Sequence, residues 1–361
     1  MRVGISTVQW AHNYGAMLQA YALRNYCESK GCEVLFTDRR RVELYPWNPK
    51  QFWSLPFKEQ LMYPKYMVKW FLPIYALRKR REEKFERFLN TYLNDKPLLP
   101  NSEFDVIIYG SDQIWSKFEY GYDKIWWGDD DLISKRRITY AASMGVTEIG
   151  EEDESFVKDA LAHFDAVSVR EDDLYEELIE RKLIAKQEIH QSIDPTFLIQ
   201  KEEWLKISSP RQIRGKYLLF YDFQIDETTT AIVRAIAQER GLKIIRITDG
   251  VVPEDGSDIY LTSVGPAEFV SLIYHADFVF SSSFHGTAFS IIFQKQFAVR
   301  QIWNMSRVKS LLRQANLSER FVENENRAHQ LSDIEYATLD STLAESIRES
   351  QQYLDVNLKH E

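Results

Sequence analysis

The chain has 361 residues, of which 44% are hydrophobic and 27% are charged, and it contains two cysteines. These proportions are typical of a soluble globular protein of about two domains and exclude a disordered or fibrous chain. A formal net charge of -9 at pH 7 argues against a nucleic-acid-binding protein, which needs a surplus of Lys and Arg to contact phosphates. Cys27 and Cys32 lack the second pair that would complete a zinc site, so we expect reduced thiols and no bound metal.

The apolar segments of the chain predict a cytoplasmic protein. MRVGIST at the start is too short an apolar run for a secretion signal. The most membrane-like segment, residues 66–77, is interrupted by Lys69 and Pro73 and is shorter than the roughly 20 residues that span a bilayer. Segment 45–81 is rich in Trp, Lys and Arg, and two interpretations stay open. It is either a helical packing element with a solvated basic end or a peripheral contact with the inner face of a membrane.

The first half of the chain alternates strand and helix patterns. RVGIST is β-like, AMLQAYALRNYCESK has helical periodicity up to Gly31, and EVLFTD is again β-like, which predicts a β-α-β unit. A helical insertion near 45–100 follows and ends in the amphipathic pattern REEKFERFLNTYL. Further strands are predicted at DVIIY, RITYAAS, AVSVR and EIHQSI, with helices at EDESFVKDALAHF and EDDLYEELIERK.

A second, similar alternation begins at residue 217. YLLFYDF, LKIIRIT, DFVFSSS and FAVRQI are predicted strands joined by helices, and the chain closes with one or two more helices. Apolar strands connected by helices form parallel sheets that are covered on both faces. We therefore predict an α/β protein with two Rossmann-like doubly wound domains, residues 1–210 and 211–361, that face a cleft. SSPRQIRGK at 208–216 is the predicted hinge.

Polar motifs follow five of the predicted strands. They are NYGA (13–16), GSDQIW (110–115), Arg170 at the end of AVSVR, DPT (194–196) and SFHG (283–286). Ligands of open parallel sheets bind beyond the carboxyl ends of the strands. All five motifs therefore lie on the predicted ligand edge.

Most of these motifs also have a purely structural interpretation. Asn13 and Gly15 suit an anion cradle at a helix start or a plain tight turn. Ser111 and Asp112 suit a ligand contact or a simple helix cap. Arg170 suits an anion clamp or a surface ion pair. The sequence leaves these alternatives open.

His285 has a more specific setting, between a serine-rich strand end and Gly286 at a predicted helix start. The helix dipole and the free amides there attract an anion and disfavour extra positive charge. The imidazole would then stay neutral until an anionic ligand binds. The alternative is a hydrogen-bonded structural histidine. Of the other histidines, we expect His12 and His275 nearest to the cleft.

Several motifs together resemble a known family. NYGAMLQAYAL, DVIIYGSDQIW, YAASMG, VSVRE, DPTFLI and SSSFHGTAFSIIF resemble the motifs of polysaccharide pyruvyl transferases, from residue 2 to about residue 320. The resemblance implies a fold like that of GT-B glycosyltransferases, phosphoenolpyruvate as the donor substrate and no cofactor. It also implies a sugar or glycan acceptor, free or lipid-linked, that receives the pyruvyl group as a ketal.

The resemblance also implies roles for individual residues. His285 and Arg170 would contact the donor, His285 as proton donor or phosphate ligand and Arg170 as anion clamp, while Asp112 would be the base for a sugar hydroxyl. The remaining expected substrate-binding residues are Asn13, Gly15, Ser111, Gln113, Ser283, Phe284, Gly286, Arg307 and Arg313. Two other functions stay open, a GT-B glycosyltransferase that uses a nucleotide sugar and a non-catalytic scaffold that binds glycan or partner enzymes.

Overall fold

A computed structural model describes residues 1–37, 72–93, 98–99, 101–145, 149–222, 225–248, 255–302, 306–338 and 340–359. Within the predicted insertion near 45–100, the described residues form a helix, Leu72–Phe88, that a π-helical turn, Leu89–Leu93, continues. Residues 45–71, on which most of the membrane interpretation depends, lie outside the described residues. None of the helices that the structure describes has the length and apolarity to cross a membrane.

The first half of the chain forms a parallel sheet with helices between its strands. Its elements are β1 (Arg2–Ser6), α1 (Tyr14–Ser29), β2 (Glu33–Phe36), α2 (Leu72–Phe88), β3 (Glu103–Tyr109), α3 (Lys117–Tyr120), β4 (Ile133–Thr139), α4 (Glu154–Leu161), β5 (Val167–Val169), α5 (Asp172–Glu180), β6 (Ile189–Gln191) and α6 (Lys201–Ile207). The strand order is β2-β1-β3-β4, and β5 pairs with β6. Two parallel bridges, Ile138 to Ala166 and Ala142 to Val169, join the two groups of strands.

The second half forms a separate five-stranded parallel sheet. Its elements are β7 (Tyr217–Tyr221), α7 (Glu227–Arg240), β8 (Lys243–Ile247), β9 (Ile259–Leu261), α8 (Pro266–His275), β10 (Phe278–Ser281), α9 (Phe284–Ile292), β11 (Gln296–Val299), α10 (Ser306–Gln314), α11 (Glu325–His329) and α12 (Asp340–Asn357). The strand order is β11-β10-β7-β8-β9. The predicted α/β architecture with two doubly wound sheets is confirmed.

In each sheet the first strand lies inside the sheet and has a neighbour on either side. β1 pairs with β2 and β3, and β7 pairs with β8 and β10. The connections from each of these strands therefore diverge, which leaves a crevice at the carboxyl ends of the strands. The motifs NYGA and GSDQIW follow β1 and β3, and SFHG follows β10. The topology thus brings these motifs to the crevices of the two sheets.

Side-chain caps fix the two helix starts at these crevices. Asn13 has an extended backbone, and its side chain accepts hydrogen bonds from the amides of Gly15 (2.8 Å) and Ala16 (3.3 Å), which starts α1. Ser283 caps α9 and accepts a hydrogen bond from the amide of Gly286 at 3.4 Å. Asn and Ser are favoured at this position because the first amides of a helix have no intrahelical partner.

The helix α12 packs against the first half of the chain, although the sequence analysis grouped it with residues 211–361. The hydroxyl of Tyr353 donates to the carbonyl of Thr139 at 2.8 Å, and the amide of Ile193 donates to the Ser350 hydroxyl at 2.9 Å. One hydrophobic core contains side chains from both halves. The division at residue 210 and the hinge at 208–216 stay predictions.

One strand of the second sheet escaped the sequence analysis. β9 has only three residues, pairs with β8 alone and is partly exposed. An edge strand needs little apolar surface, so its sequence lacks the hydrophobic run that marks the central strands.

Candidate active site

A cavity of about 520 Å³ lies between the two halves, where the crevices of the two sheets meet. Residues that follow β1 and β3 form one side, and residues that follow β7, β10 and β11 form the other. Seven of the predicted site residues line it: Asn13, Asp112, Gln113, Ser283, Phe284, His285 and Arg307. The cavity therefore brings together most of the predicted site residues.

The start of α9 meets the start of α1 at the inner end of the cavity. His285, at the second position of α9, packs on the backbone of Gly15 in α1. A Cβ atom added to Gly15 would lie 1.8 Å from Nδ1 of His285, which no packing tolerates. Glycine is required here because the imidazole from one half lies directly on the main chain of the other.

A buried carboxylate lies behind His285. Oδ2 of Asp194 is 3.6 Å from Nε2 of His285 and 3.1 Å from Nη1 of Arg170. The Asp194 side chain is 0% exposed. Burial by itself opposes charge on this carboxyl, but Arg170 and His285 outweigh burial and hold its pKa well below the usual range. The Asp194 carboxylate thus lies between a guanidinium and an imidazole in a buried cluster.

Two cationic side chains of the site lie near the ring of Phe284. The guanidinium of Arg170 lies 5.0 Å from the ring centroid, and that of Arg307 lies 5.9 Å from it. Arg307 is mostly buried, and Nη1 lies 3.8 Å from Oδ1 of Asp112. Burial lowers the pKa of Arg307, and the nearby Asp112 carboxylate offsets part of this decrease. Of these two arginines, Arg307 is among the residues that line the cavity.

Five predicted site residues are not on the cavity wall. Four of them are buried behind the wall: Gly15, Ser111, Arg170 and Gly286. The Ser111 hydroxyl accepts a hydrogen bond from Nη2 of Arg170. Arg313 is 58% exposed and pairs with Asp172 at 2.6 Å. The structure thus does not bring Arg313 to the cavity. It places Arg170 beneath the wall, so the expected direct contact of Arg170 with a donor stays a prediction.

Several lining residues were missed by the sequence analysis or received no role. Trp10, Tyr120, Tyr221 and Gln301 line the cavity, and so does Glu119. Trp10, Tyr221 and Gln301 lie at or just beyond the carboxyl ends of β1, β7 and β11, so the ligand-edge rule held a signal for them. Nothing local in the sequence marks Glu119 and Tyr120.

Two further groups received only a partial interpretation from the sequence. His12 was expected near the cleft; it lines the cavity, and its Nε2 lies 3.1 Å from Oε1 of Glu86. Asp194 belongs to the DPT motif, which was placed on the ligand edge without a chemical role. Its partnership with His285 joins residues 91 positions apart, which no local pattern reveals.

The buried carboxyl of Glu171 makes the stability of this region depend on pH. Burial raises the pKa of Glu171, although nearby Arg170 and the Ser143 hydroxyl, 2.6 Å from Oε1, favour its charged form. A raised pKa in the folded state contributes stability below the unfolded pKa, and this contribution is lost as pH rises through the folded value. The wild-type protein therefore carries a cost at neutral pH that a neutral side chain avoids.

We expect Glu171→Gln to raise the Tm relative to wild type by about 1–3 °C at pH 7.5, with the difference shrinking towards pH 4. Gln keeps an acceptor for the Ser143 hydroxyl. Thermal unfolding of both proteins across this pH range is the measurement. A Tm difference that is constant with pH would contradict the assignment.

The fold is similar to that of two solved epimerases. One is a UDP-N-acetylglucosamine 2-epimerase from Rickettsia bellii, with 11% identity, coverage of 99% of this chain and 95% of that chain, and a TM-score of 0.50. The other is the UDP-GlcNAc 2-epimerase from Methanocaldococcus jannaschii, with 9% identity, coverage of 99% of both chains and a TM-score of 0.50. At these identities the likeness shows the fold alone. No curated protein matches the chain significantly.

Two Rossmann-like sheets with a cavity between them define a GT-B-like fold. The family described as polysaccharide pyruvyl transferase matches residues 13–300, and the chain belongs to this family. The resemblance seen in the motifs is confirmed. Membership indicates a transferase with a role in pyruvyl transfer and a sugar or polysaccharide acceptor.

Proposed function

We propose that the protein transfers the pyruvyl group of phosphoenolpyruvate to two hydroxyls of one sugar residue, forming a ketal and releasing phosphate. The observation that carries the proposal is the pairing of an acid and a cation on one cavity wall. His285, with a carboxylate behind it, and Arg307 both line the cavity. An enol phosphate needs both groups, because it is an anion whose reaction begins with protonation.

The reaction requires a defined set of bond changes. The vinyl carbon gains a proton and becomes a methyl group, while the adjacent carbon acquires cationic character. Two sugar oxygens bond to that carbon, and its bond to the phosphate oxygen breaks. Two hydroxyl protons are released in total; one balances the proton added to carbon and the other leaves with phosphate. The site must therefore supply an acid, a base and an anion cradle.

The lining residues can be matched to these requirements. His285 is the acid, and Arg307 grips the phosphate or carboxylate of the donor with a planar fork of donors. The α9 start next to Ser283 adds a favourable helix dipole for the anion. Asp112 lines the same cavity and is the base that accepts a hydroxyl proton.

Aromatic side chains suit the acceptor side of the cavity. Trp10, Tyr120 and Tyr221 offer ring faces of the kind on which sugars stack. A lipid carrier for this sugar, a cytoplasmic location and a peripheral membrane contact stay predictions. They depend on parts of the chain and on partners beyond this cavity.

Ligand-dependent thermal unfolding tests the donor. Phosphoenolpyruvate at 100 times its Kd should stabilise the protein by about 2.7 kcal/mol. Phosphate release from phosphoenolpyruvate with a panel of oligosaccharides should then identify acceptors. Stabilisation by uridine- or guanosine-diphosphate sugars, with no response to phosphoenolpyruvate, would overturn the proposal in favour of a glycosyltransferase.

Two arginines of α10 allow a matched test of the anion cradle, with Arg307 as the cradle residue and Arg313 as its control. We expect Arg307→Ala to raise the KM for phosphoenolpyruvate about 10- to 100-fold, because a charge-assisted hydrogen bond is worth about 1.5–3 kcal/mol. Arg313→Ala removes the same charge from the same helix, but its guanidinium pairs with Asp172 away from the cavity. Steady-state kinetics of both variants is the measurement. Equal effects on KM would show a general charge effect and contradict the cradle.

A further inference from the structure

The two nitrogens of the His285 ring have different surroundings. Nε2 is shielded from solvent and lies 3.6 Å from Oδ2 of Asp194. The residue nevertheless lines the cavity, and Nδ1, which packs beside the backbone of Gly15, is not among the enclosed side-chain atoms of the described residues that lack a hydrogen-bond partner. Because Nε2 is enclosed, Nδ1 is the ring nitrogen left to meet a ligand.

Asp194 is held in one orientation by two hydrogen bonds and one ion pair. Its Oδ1 accepts hydrogen bonds from the Thr196 amide at 2.9 Å and the Thr196 hydroxyl at 2.7 Å. Nη1 of Arg170 lies 3.1 Å from the other oxygen, Oδ2. Oδ1 is therefore occupied, and Oδ2 is the oxygen that faces the imidazole. This arrangement keeps the carboxylate charged although it is fully buried.

A charged acceptor beside one ring nitrogen decides the tautomer. A neutral imidazole carries its single proton on the nitrogen that faces a carboxylate, and the other nitrogen then bears the lone pair. The same carboxylate stabilises the imidazolium, which carries protons on both nitrogens. Other charges near the ring are Arg170 behind it and Arg307 and Asp112 at the cavity.

We propose that Asp194 is a positioning residue that holds the proton of His285 on Nε2, so that Nδ1 is the atom that exchanges protons with the substrates. The inference rests on the proposed function and specifies the atom that transfers the proton. The Nδ1–H bond of the imidazolium breaks as the electron pair of the donor's double bond takes that proton and forms the new C–H bond at the vinyl carbon, which leaves the adjacent carbon cationic. Nδ1 regains a proton from one acceptor hydroxyl as that oxygen bonds to carbon.

Two measurements test this inference. The first is nitrogen NMR of protein labelled with ¹⁵N in the histidine rings, with His285→Asn used for assignment. We expect the neutral ring of His285 to carry its proton on Nε2 in the wild type and to lose this preference in Asp194→Asn. A wild-type ring with its proton on Nδ1 would overturn the inference, whatever reaction the protein catalyses.

The second measurement is the pH dependence of phosphate release from phosphoenolpyruvate. Asp194→Asn should lower kcat about 10²- to 10⁴-fold. It should also move the high-pH decline in rate to lower pH, because the imidazolium loses its stabilising charge. The KM for phosphoenolpyruvate should change little, since Asp194 lies behind the ring. An unshifted pH profile in an active variant would overturn the positioning role.

Asp226→Asn is the matched control. Like Asp194, Asp226 accepts a hydrogen bond from a nearby amide, that of Thr229 at 2.7 Å, and pairs with an arginine, Arg300, at 2.9 Å. It is not among the residues that line the cavity, so its variant should keep the wild-type pH profile. If the wild type releases no phosphate from phosphoenolpyruvate, the proposed function fails, and the NMR result still decides the inference. The wild-type spectrum also decides it if Asp194→Asn does not fold.

Discussion

Replacing His285 by Asn is expected to lower the rate of phosphate release from phosphoenolpyruvate by about 10³-fold or more. This decrease in rate is larger than the loss of one hydrogen bond would cause, because a positioned general acid contributes about 10²- to 10⁴-fold to the rate. The fold should persist, since the imidazole makes few polar contacts besides Asp194 and α9 keeps its Ser283 cap. Phosphate release by the purified variant, with its Tm, is the measurement.

His329→Asn serves as the control for this substitution. His329 is 53% exposed and pairs with Glu239, and it is not among the residues that line the cavity. Its variant should release phosphate at the wild-type rate. If His285→Asn retained near-normal activity with a normal Tm, the acid would have to be sought elsewhere on the cavity wall.

Gly15→Ala is expected to lower activity about 10²-fold or more without changing any ionisable group. The new methyl group would lie 1.8 Å from Nδ1 of His285, so the ring must rotate or the two helix starts must separate. A displacement of about 1 Å in a catalytic group can cost 10²-fold in rate. Phosphate release and thermal unfolding of the variant are the measurements.

Gly150→Ala provides the steric control for that prediction. A Cβ atom at Gly150 would meet the carboxylate of Glu152, the far end of a flexible side chain that can move aside. The backbone there has φ -63 and ψ 151, which alanine adopts freely. Full activity in Gly15→Ala would show that the imidazole tolerates displacement and would remove the argument for its fixed position.

The part of the site that the sequence predicted follows from the geometry of parallel sheets. The carboxyl ends of parallel strands meet at one edge of each sheet, so the motifs after β1 and β3 share the edge of the first sheet, and the motif after β10 lies at the corresponding edge of the second. Asn13, Asp112 and His285 therefore reached the cavity as expected. Local capping signals also located the helix starts, because an Asn or Ser side chain satisfies the free amides wherever the helix packs.

The parts of the site and fold that the sequence did not predict depend on tertiary packing, which no local sequence pattern encodes. Arg307 and Arg313 lie six positions apart on α10, which turns them to different sides of the helix, and only tertiary docking decides which side faces the cavity. Arg170 ends a fully buried strand, so its guanidinium lies beneath the wall with Asp194. The helix pattern of α12 likewise predicted a helix and could not predict the surface on which it packs.

The hydrogen bond between the Ile193 amide and the Ser350 hydroxyl has a consequence for synthesis of the protein. It joins positions 157 residues apart, and Ile193 directly precedes Asp194. During synthesis on the ribosome, the loop that carries the Asp194 carboxylate can gain the Ser350 hydroxyl as a hydrogen-bond partner only after α12 has been made. The cavity takes residues from both halves, so it is complete only after the second half has been made. A nascent chain released before Ser350 would have the cavity-lining residues and would lack this partner for the loop that carries Asp194.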